Sequence, residues 1–399
     1  MQQCTLSCAV QSGEKVGTTG ISERDAGNTK GCERCARLPE IPSGAGRLLL
    51  HVPVRHMRAR VTAALDASGE PWTTDGDDRN GGRVYATVTS DVTAFARTLL
   101  PRLSGEERVE VRAMFEPAGR QATVADFFSA RSVGTFLERT QQRWLSSMLA
   151  DERLQMHFQP IVDAPAPNTI YGFECLMRGV RAADMPEQSG PGGNVPALVY
   201  PDELLSAAHD ADLLFQLDLA ARLAAIRAAA EHAISEAVFI NFSPAAIYDP
   251  AFCLRSTIAA VSKVGLRPEQ IVFEVTETER VPSSTAHLLN ILDHYRRAGF
   301  RVALDDVGSG YSSLVMLGDV RPDFVKLDKG LTMAVLDDPF RAVIAEKVIE
   351  VALRTGMKIV AEGIENAESA NWFASRGVHY LQGYHFARPA ALPPRTFAH

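Results

Sequence analysis

The chain has 399 residues, 46% of them hydrophobic and 22% charged, with a formal net charge of −7. That composition is ordinary for a soluble globular protein and long enough for more than one folding unit. The acidic balance gives no footprint for polymeric nucleic acid, no run approaches the roughly 18 apolar residues of a membrane helix, and no basic-then-apolar leader opens the chain. The expectation is a cytoplasmic protein with no membrane partner.

Residues 1–45 read as a flexible tail, rich in Gly, Ser and charge. Four of the six cysteines fall there: Cys4, Cys8, Cys32 and Cys35. Cys32-x-x-Cys35 has zinc-knuckle spacing, and Cys4-x-x-x-Cys8 is near it. Two readings stay open, a Zn²⁺ site and a tail with incidental cysteines. Residues 46–140 read as a small α/β module of regulatory or docking character, without a chemical motif. Strands are expected over 48–54 and 83–89, and helices over 56–67 and 90–100. A polar loop is expected over 70–82. Ser104-x-x-Glu107 is a capping box, read as opening a helix to Phe115. Residues 133–150 read as one amphipathic helix, with Phe136, Leu137, Trp144, Leu145 and Met148 on its apolar side.

From 141 to 399 short apolar runs alternate with helical patterns. Strands are expected over 154–162, 169–178, 237–242, 271–277, 301–306, 323–327, 358–362 and 379–382. Helices between them are expected over 201–212, 214–231, 251–263, 283–298, 340–355 and 366–375. Eight strands alternating with helices over this length predict a TIM-type (β/α)8 barrel. Neither G-x-G-x-x-G nor a Walker loop is present, which speaks against a nucleotide-binding open sheet. The segment 179–200, rich in Gly and Pro, reads as a mobile loop.

Polar residues recur at the carboxyl ends of these strands, where a barrel places its active site. Strand two carries Glu174 and Arg178, and strand three ends in Asn241. Strand four carries Glu274 and Glu277, strand five Asp305 and Asp306, strand six Lys326, strand seven Glu362 and strand eight Gln382. One acid at a strand end is readily a solvated turn; five in one mouth are not explained by packing. Such a mouth repels itself unless cations sit in it. Two divalent metals supply four positive charges and Lys326 a fifth. All-oxygen ligands select Mg²⁺ or Mn²⁺, and two such ions form the usual clamp for attack on a phosphodiester. Asp305, central in the set, is the expected bridging ligand. Lys326 is expected to orient the attacking water or stabilise developing charge.

The run from about 150 to 390 closely resembles the EAL-domain family of cyclic di-GMP phosphodiesterases. The tracts that carry the resemblance are Phe158-Gln159-Pro160, Phe173-Glu174-Cys175-Leu176-Met177-Arg178, Asn241-Phe242-Ser243 and Glu274-Val275-Thr276-Glu277. They continue through Asp305-Asp306-Val307-Gly308-Ser309-Gly310-Tyr311, Lys326-Leu327-Asp328, Ala361-Glu362-Gly363 and Gln382-Gly383-Tyr384. The resemblance implies hydrolysis of cyclic di-GMP to linear pGpG with two Mg²⁺ or Mn²⁺ per site. It implies that Glu174, Asn241, Glu274, Asp305, Asp306 and Glu362 are metal ligands. Lys326 would be catalytic, Gln382 would help hold the metal-site water, and Gln159, Leu176 and Arg178 would be substrate contacts. Glu277 would anchor the loop 307–314, shaped by Gly308 and Gly310, which in the family couples a homodimer to metal binding. Cys175 replaces the motif alanine, and Val307 and Ser309 replace the usual Phe and Thr, so loop rigidity is the property in question. The competing expectation is a catalytically silent cyclic di-GMP receptor or docking module. Such relatives would lose a metal carboxylate or the lysine, and none is missing here.

Overall fold

The computed structural model describes residues 37–75, 82–182, 198–276, 285–308 and 313–397. Cys4, Cys8, Cys32 and Cys35, with the Zn²⁺ expectation attached to them, lie outside these residues, as does most of the segment 179–200. Strands β1 (Gly46–Val52), β2 (Trp72–Asp75), β3 (Arg83–Thr89), β4 (Arg112–Pro117) and β5 (Arg131–Ser132) form an antiparallel sheet in the order β2-β3-β1-β4-β5. Leu48, Leu50 and Val52 alternate onto one face of β1. There they meet Val61 and Leu65, Phe95 and Leu99, and Phe136 and Leu137, from the helices Arg58–Ser68, Val92–Leu99 and Val133–Gln141.

Three local expectations are corrected. The Ser104 capping box forms, with the Ser104 N–H donating to the Glu107 carboxylate at 2.7 Å, but its helix stops at Glu110. The next residues pair with β1 instead, so sheet closure overrides helical continuation. The polar stretch 70–82 contains strand β2, recruited to the edge of β3. The helix expected over 133–150 breaks at Gln142 into Val133–Gln141 and Arg143–Ala150. The break lets Phe136 and Leu137 face the first core while Leu145 and Met148 face another, with Leu204, Ala208 and Leu217.

The second sheet contains β6 (Leu154–Asp163), β7 (Ile170–Val180), β8 (Leu198–Val199), β9 (Ala237–Asn241) and β10 (Ile271–Thr276). It continues through β11 (Arg301–Val307), β12 (Phe324–Leu327), β13 (Lys358–Ala361) and β14 (Tyr380–Gln382). Pairing of β6 with both β7 and β14 closes an eight-stranded barrel, with β8 appended to β7. From β7 through β14 the ring is parallel, but β6 runs against both neighbours. Only residues 164–169 join β6 to β7, enough for a hairpin and too few for a parallel crossover. As the expected bounds of the first two strands imply, no helix separates them, and strand–helix alternation begins after β7.

Inside the barrel, Ile161, Phe239, Val272, Ala303, Phe324 and Val360 form an apolar layer, with Ala237 packed beneath it. Strand side chains return to the same face every second residue. Two positions further along β9 to β13, that rule places Asn241, Glu274, Asp305, Lys326 and Glu362 in the layer above. Because β6 is reversed, its matching residue lies two positions earlier, at Gln159. The fold thus stacks a polar floor on an apolar plug.

The N-terminal unit contacts the helices around the barrel through Arg139, nine-tenths buried. Its Nε donates to Ala211 O at 2.7 Å, and a terminal nitrogen reaches the Asp212 carboxylate at 3.2 Å. Arg139→Ala leaves a buried carbonyl unpaired, and should lower the unfolding free energy by about 1–3 kcal/mol. Denaturant titration reads this as a shifted midpoint at unchanged slope. A shift under about 0.5 kcal/mol would show that this contact does not hold the seam.

Candidate active site

Lys326 is wholly buried at the centre of the polar layer. Its Nζ lies 2.6 Å from Glu362, 2.8 Å from Glu274, 3.3 Å from Asp305 and 3.4 Å from Glu174. These contacts are ion pairs between the ammonium and the carboxylates. Asn241 donates from Nδ2 to Glu174 at 3.1 Å and to Glu274 at 3.0 Å. Gln382 donates to Glu174 at 2.6 Å and to Gln159 at 3.1 Å.

Adjacent residues of a regular strand face opposite ways, so Asp305 and Asp306 should not share a site. Strand β11 solves this with a register shift between Leu304 and Val307, and Asp306 adopts a left-handed φ of 55°. Aspartate tolerates that conformation better than most residues. Carboxylate oxygens of Asp305, Asp306 and Glu362 then lie within 4.8 Å of one another, as do those of Glu174, Glu274 and Asp305. Asp305 belongs to both groups.

Burial dominates the titration of the cluster. It raises Glu274 well above the ordinary glutamate range, Glu362 to about 8 and Asp305 to about 6, against the pull of Lys326. Asp306 is raised by burial and then by Asp328. Burial acts on Glu174 too, but Lys326, Gln382 and Asn241 outweigh it and hold that carboxyl below its usual value. Burial would lower Lys326; its surrounding carboxylates more than offset this and hold the ammonium well above normal. Five carboxylates against one ammonium leave a formal charge of −4, which two divalent ions would cancel. The donors are all oxygen, and Glu274 Oε1 faces the Lys326 ammonium at 2.8 Å. The residues present fit Mg²⁺ or Mn²⁺.

Leu176, Asn241, Asp305 and Asp306 line a cavity of about 780 Å³ above the layer. Arg178 is largely buried at its side, with its guanidinium 5.0 Å from the Tyr200 ring centroid. Gly308 has φ 105°, and a Cβ there would meet Leu331 at 2.7 Å, so its turn requires glycine. Glu277 and Gly310 lie outside the described residues.

Two supports escaped the sequence reading. The buried Thr332 hydroxyl donates to the Glu362 carbonyl, fixing the backbone under that carboxylate. Asp218, ion-paired with buried Arg222, accepts the Ser243 N–H at 2.8 Å and so fixes the turn after Asn241. Both contacts join residues 25 or more apart in sequence, and no local pattern marks them.

A family model described as EAL domain matches residues 142–389. A probable cyclic di-GMP phosphodiesterase of Escherichia coli (strain K12), PdeN, is 28% identical over 255 residues, 63% of this chain and 46% of its own length. The cyclic di-GMP phosphodiesterase PdeL of the same strain is 35% identical over 129 residues, 32% of this chain and 35% of its own. The chain thus spans under half the length of these curated relatives. Among solved structures, a standalone EAL protein from Vibrio cholerae O395 in its c-di-GMP-bound form is 32% identical with a TM-score of 0.52, covering 61% of this chain and 95% of its own. Klebsiella pneumoniae BlrP1, in a manganese and cyclic-di-GMP complex, covers 87% of this chain and 96% of its own. At 22% identity and a TM-score of 0.51, it is a likeness of fold.

The raised carboxyls give a signed pH dependence. Above the ordinary value near 4.5 an unfolded chain has released these protons, while the metal-free fold keeps them until about pH 6 at Asp305 and about pH 8 at Glu362. The fold binds more protons than the unfolded chain in that window, so its stability falls as pH rises from 5 to 8. Thermal melts in chelator should show this fall, and calorimetry at pH 7 should show protons released on adding Mg²⁺. Rising stability across the window would refute the burial of uncompensated carboxyls.

Proposed function

The chain belongs to the EAL domain family, and from that premise we propose that its barrel is an active metal-dependent phosphodiesterase opening cyclic di-GMP to linear pGpG. The observation that carries this reading is the buried Lys326 set among Glu174, Glu274, Asp305 and Glu362, with no acidic position of the family pattern lost. Glu174, Asn241, Glu274, Asp305, Asp306 and Glu362 would hold two Mg²⁺ or Mn²⁺ ions, Asp305 being the residue common to both carboxylate groups. When bound, these ions supply Lewis-acid stabilisation of phosphate oxygens and a water acidic enough to attack at neutral pH.

The protein's own groups do the rest. Lys326 Nζ holds a positive charge where negative charge grows on the phosphorus oxygens, and orients the attacking water. Gln382 fixes Glu174 through its 2.6 Å bond. Leu176 offers an apolar wall to a base, while Arg178 and Gln159 offer donors to phosphate and base edges. Homodimerisation is part of the proposal. Leu314, Val315, Met333, Phe340 and Val343 are each at least half exposed on the helices after β11 and β12, an apolar face suited to a second copy. The cytoplasm remains the proposed location; among the described residues no helix is long and apolar enough to cross a membrane.

The direct test is hydrolysis of cyclic di-GMP by purified protein with Mg²⁺ or Mn²⁺ against chelator. Binding without turnover would favour the silent receptor. Glu174→Ala and Asp305→Ala should abolish turnover while leaving the fold intact. Lys326→Ala should lower kcat by roughly 10²–10³-fold with little change in KM; a change confined to KM would make the lysine a substrate anchor. Ca²⁺ should inhibit, because it prefers longer bonds and more ligands. Phe340→Glu should sediment as a monomer, and an unchanged oligomer would move the interface elsewhere.

A further inference from the structure

The far end of the barrel, beneath the apolar layer, carries a second cavity of about 740 Å³, bordered by helices Ser313–Val320 and Pro339–Arg354. Its character is opposite to that of the catalytic mouth. Arg301, Arg321 and Lys358 line it, with Asp323 the one acid among them. Asp323 is already engaged, since its Oδ2 accepts the Val302 N–H at 2.8 Å. Among the described residues none of the three cations forms an ion pair with a carboxylate. Arg301 is held in place: one terminal nitrogen donates to the Tyr171 hydroxyl at 2.8 Å, and its guanidinium lies 5.2 Å from the Phe324 ring centroid. Yet its Nε–H is buried with no hydrogen-bond acceptor.

Flat apolar surface adjoins these charges. The Tyr171 and Tyr380 rings stack with centroids 3.8 Å apart, beside Phe324. A plug that only closed the barrel would need no open volume of this size; packed apolar side chains would serve. Arginine forks and aromatic faces together suit a planar body bearing a phosphate or carboxylate. We infer that this cavity is a second ligand site, taking a small anion with a flat apolar body, separate from the catalytic mouth.

Phenyl phosphate is a suitable probe, with benzyl alcohol as the neutral control, titrated calorimetrically into the full chain. Phenyl phosphate should bind and benzyl alcohol should not. Lys358→Glu and Arg321→Glu, both at surface-exposed positions and so tolerable to the fold, should each weaken binding roughly fivefold or more by reversing a charge at the site. Arg301→Gln should weaken it further. Binding should survive Asp305→Ala, which disrupts only the catalytic mouth. Equal binding of the neutral control would overturn the inference. So would affinity untouched by the charge reversals, or binding lost in Asp305→Ala.

Discussion

One ammonium surrounded by carboxylates governs the barrel. Taking charges out of water costs several kcal/mol per ion even after relaxation, and this layer buries Lys326, Glu174, Glu274 and Asp305 together. Lys326 makes the arrangement tolerable without making it neutral. Its own charge is secured by the acids, while most of the acids are pushed toward their protonated forms. The surplus negative charge is a standing demand for cations. The proposed affinity for metal and the electrostatic cost of burying these acids would be two aspects of one imbalance.

The backbone meets that demand with ordinary means and one exception. A period of two carries most strands from an apolar residue to a polar one in the layer above, so β10 presents Val272 then Glu274, and β12 presents Phe324 then Lys326. The exception is β11, where the left-handed Asp306 and the shifted register turn consecutive acids to one side. Strain of this kind persists where surrounding contacts over-determine it. Here the Asp306 N–H donates to Asp305 at 2.9 Å, and Gly308 packs closely on Leu331.

Much of this could be read from the chain. Apolar runs at regular spacing placed all eight ring strands, and the acids at their ends marked residues that gather around Lys326, because both signals are local and periodic. What stayed hidden was set by partners distant in sequence. The reversal of β6 follows from a short link, but strand direction leaves no mark in the apolar pattern itself. Strand β2 looks polar on its own and exists because β3 offers an edge. The helix break at Gln142 appears only when two separate cores compete for one amphipathic stretch. Thr332 and Asp218 act through backbone groups, and backbone groups leave no trace in side-chain pattern.

The reversal of β6 has a further mechanical meaning. In an all-parallel barrel the first strand begins at the closed end, and whatever precedes it is attached far from the chemistry. Here Leu154, where the chain enters the barrel, sits beside Gly179 near the carboxyl end of β7. The upstream sheet is therefore moored at the doorway. A shift of helix Arg143–Ala150 would pull directly on the strand that carries Gln159, with no need to travel the height of the barrel.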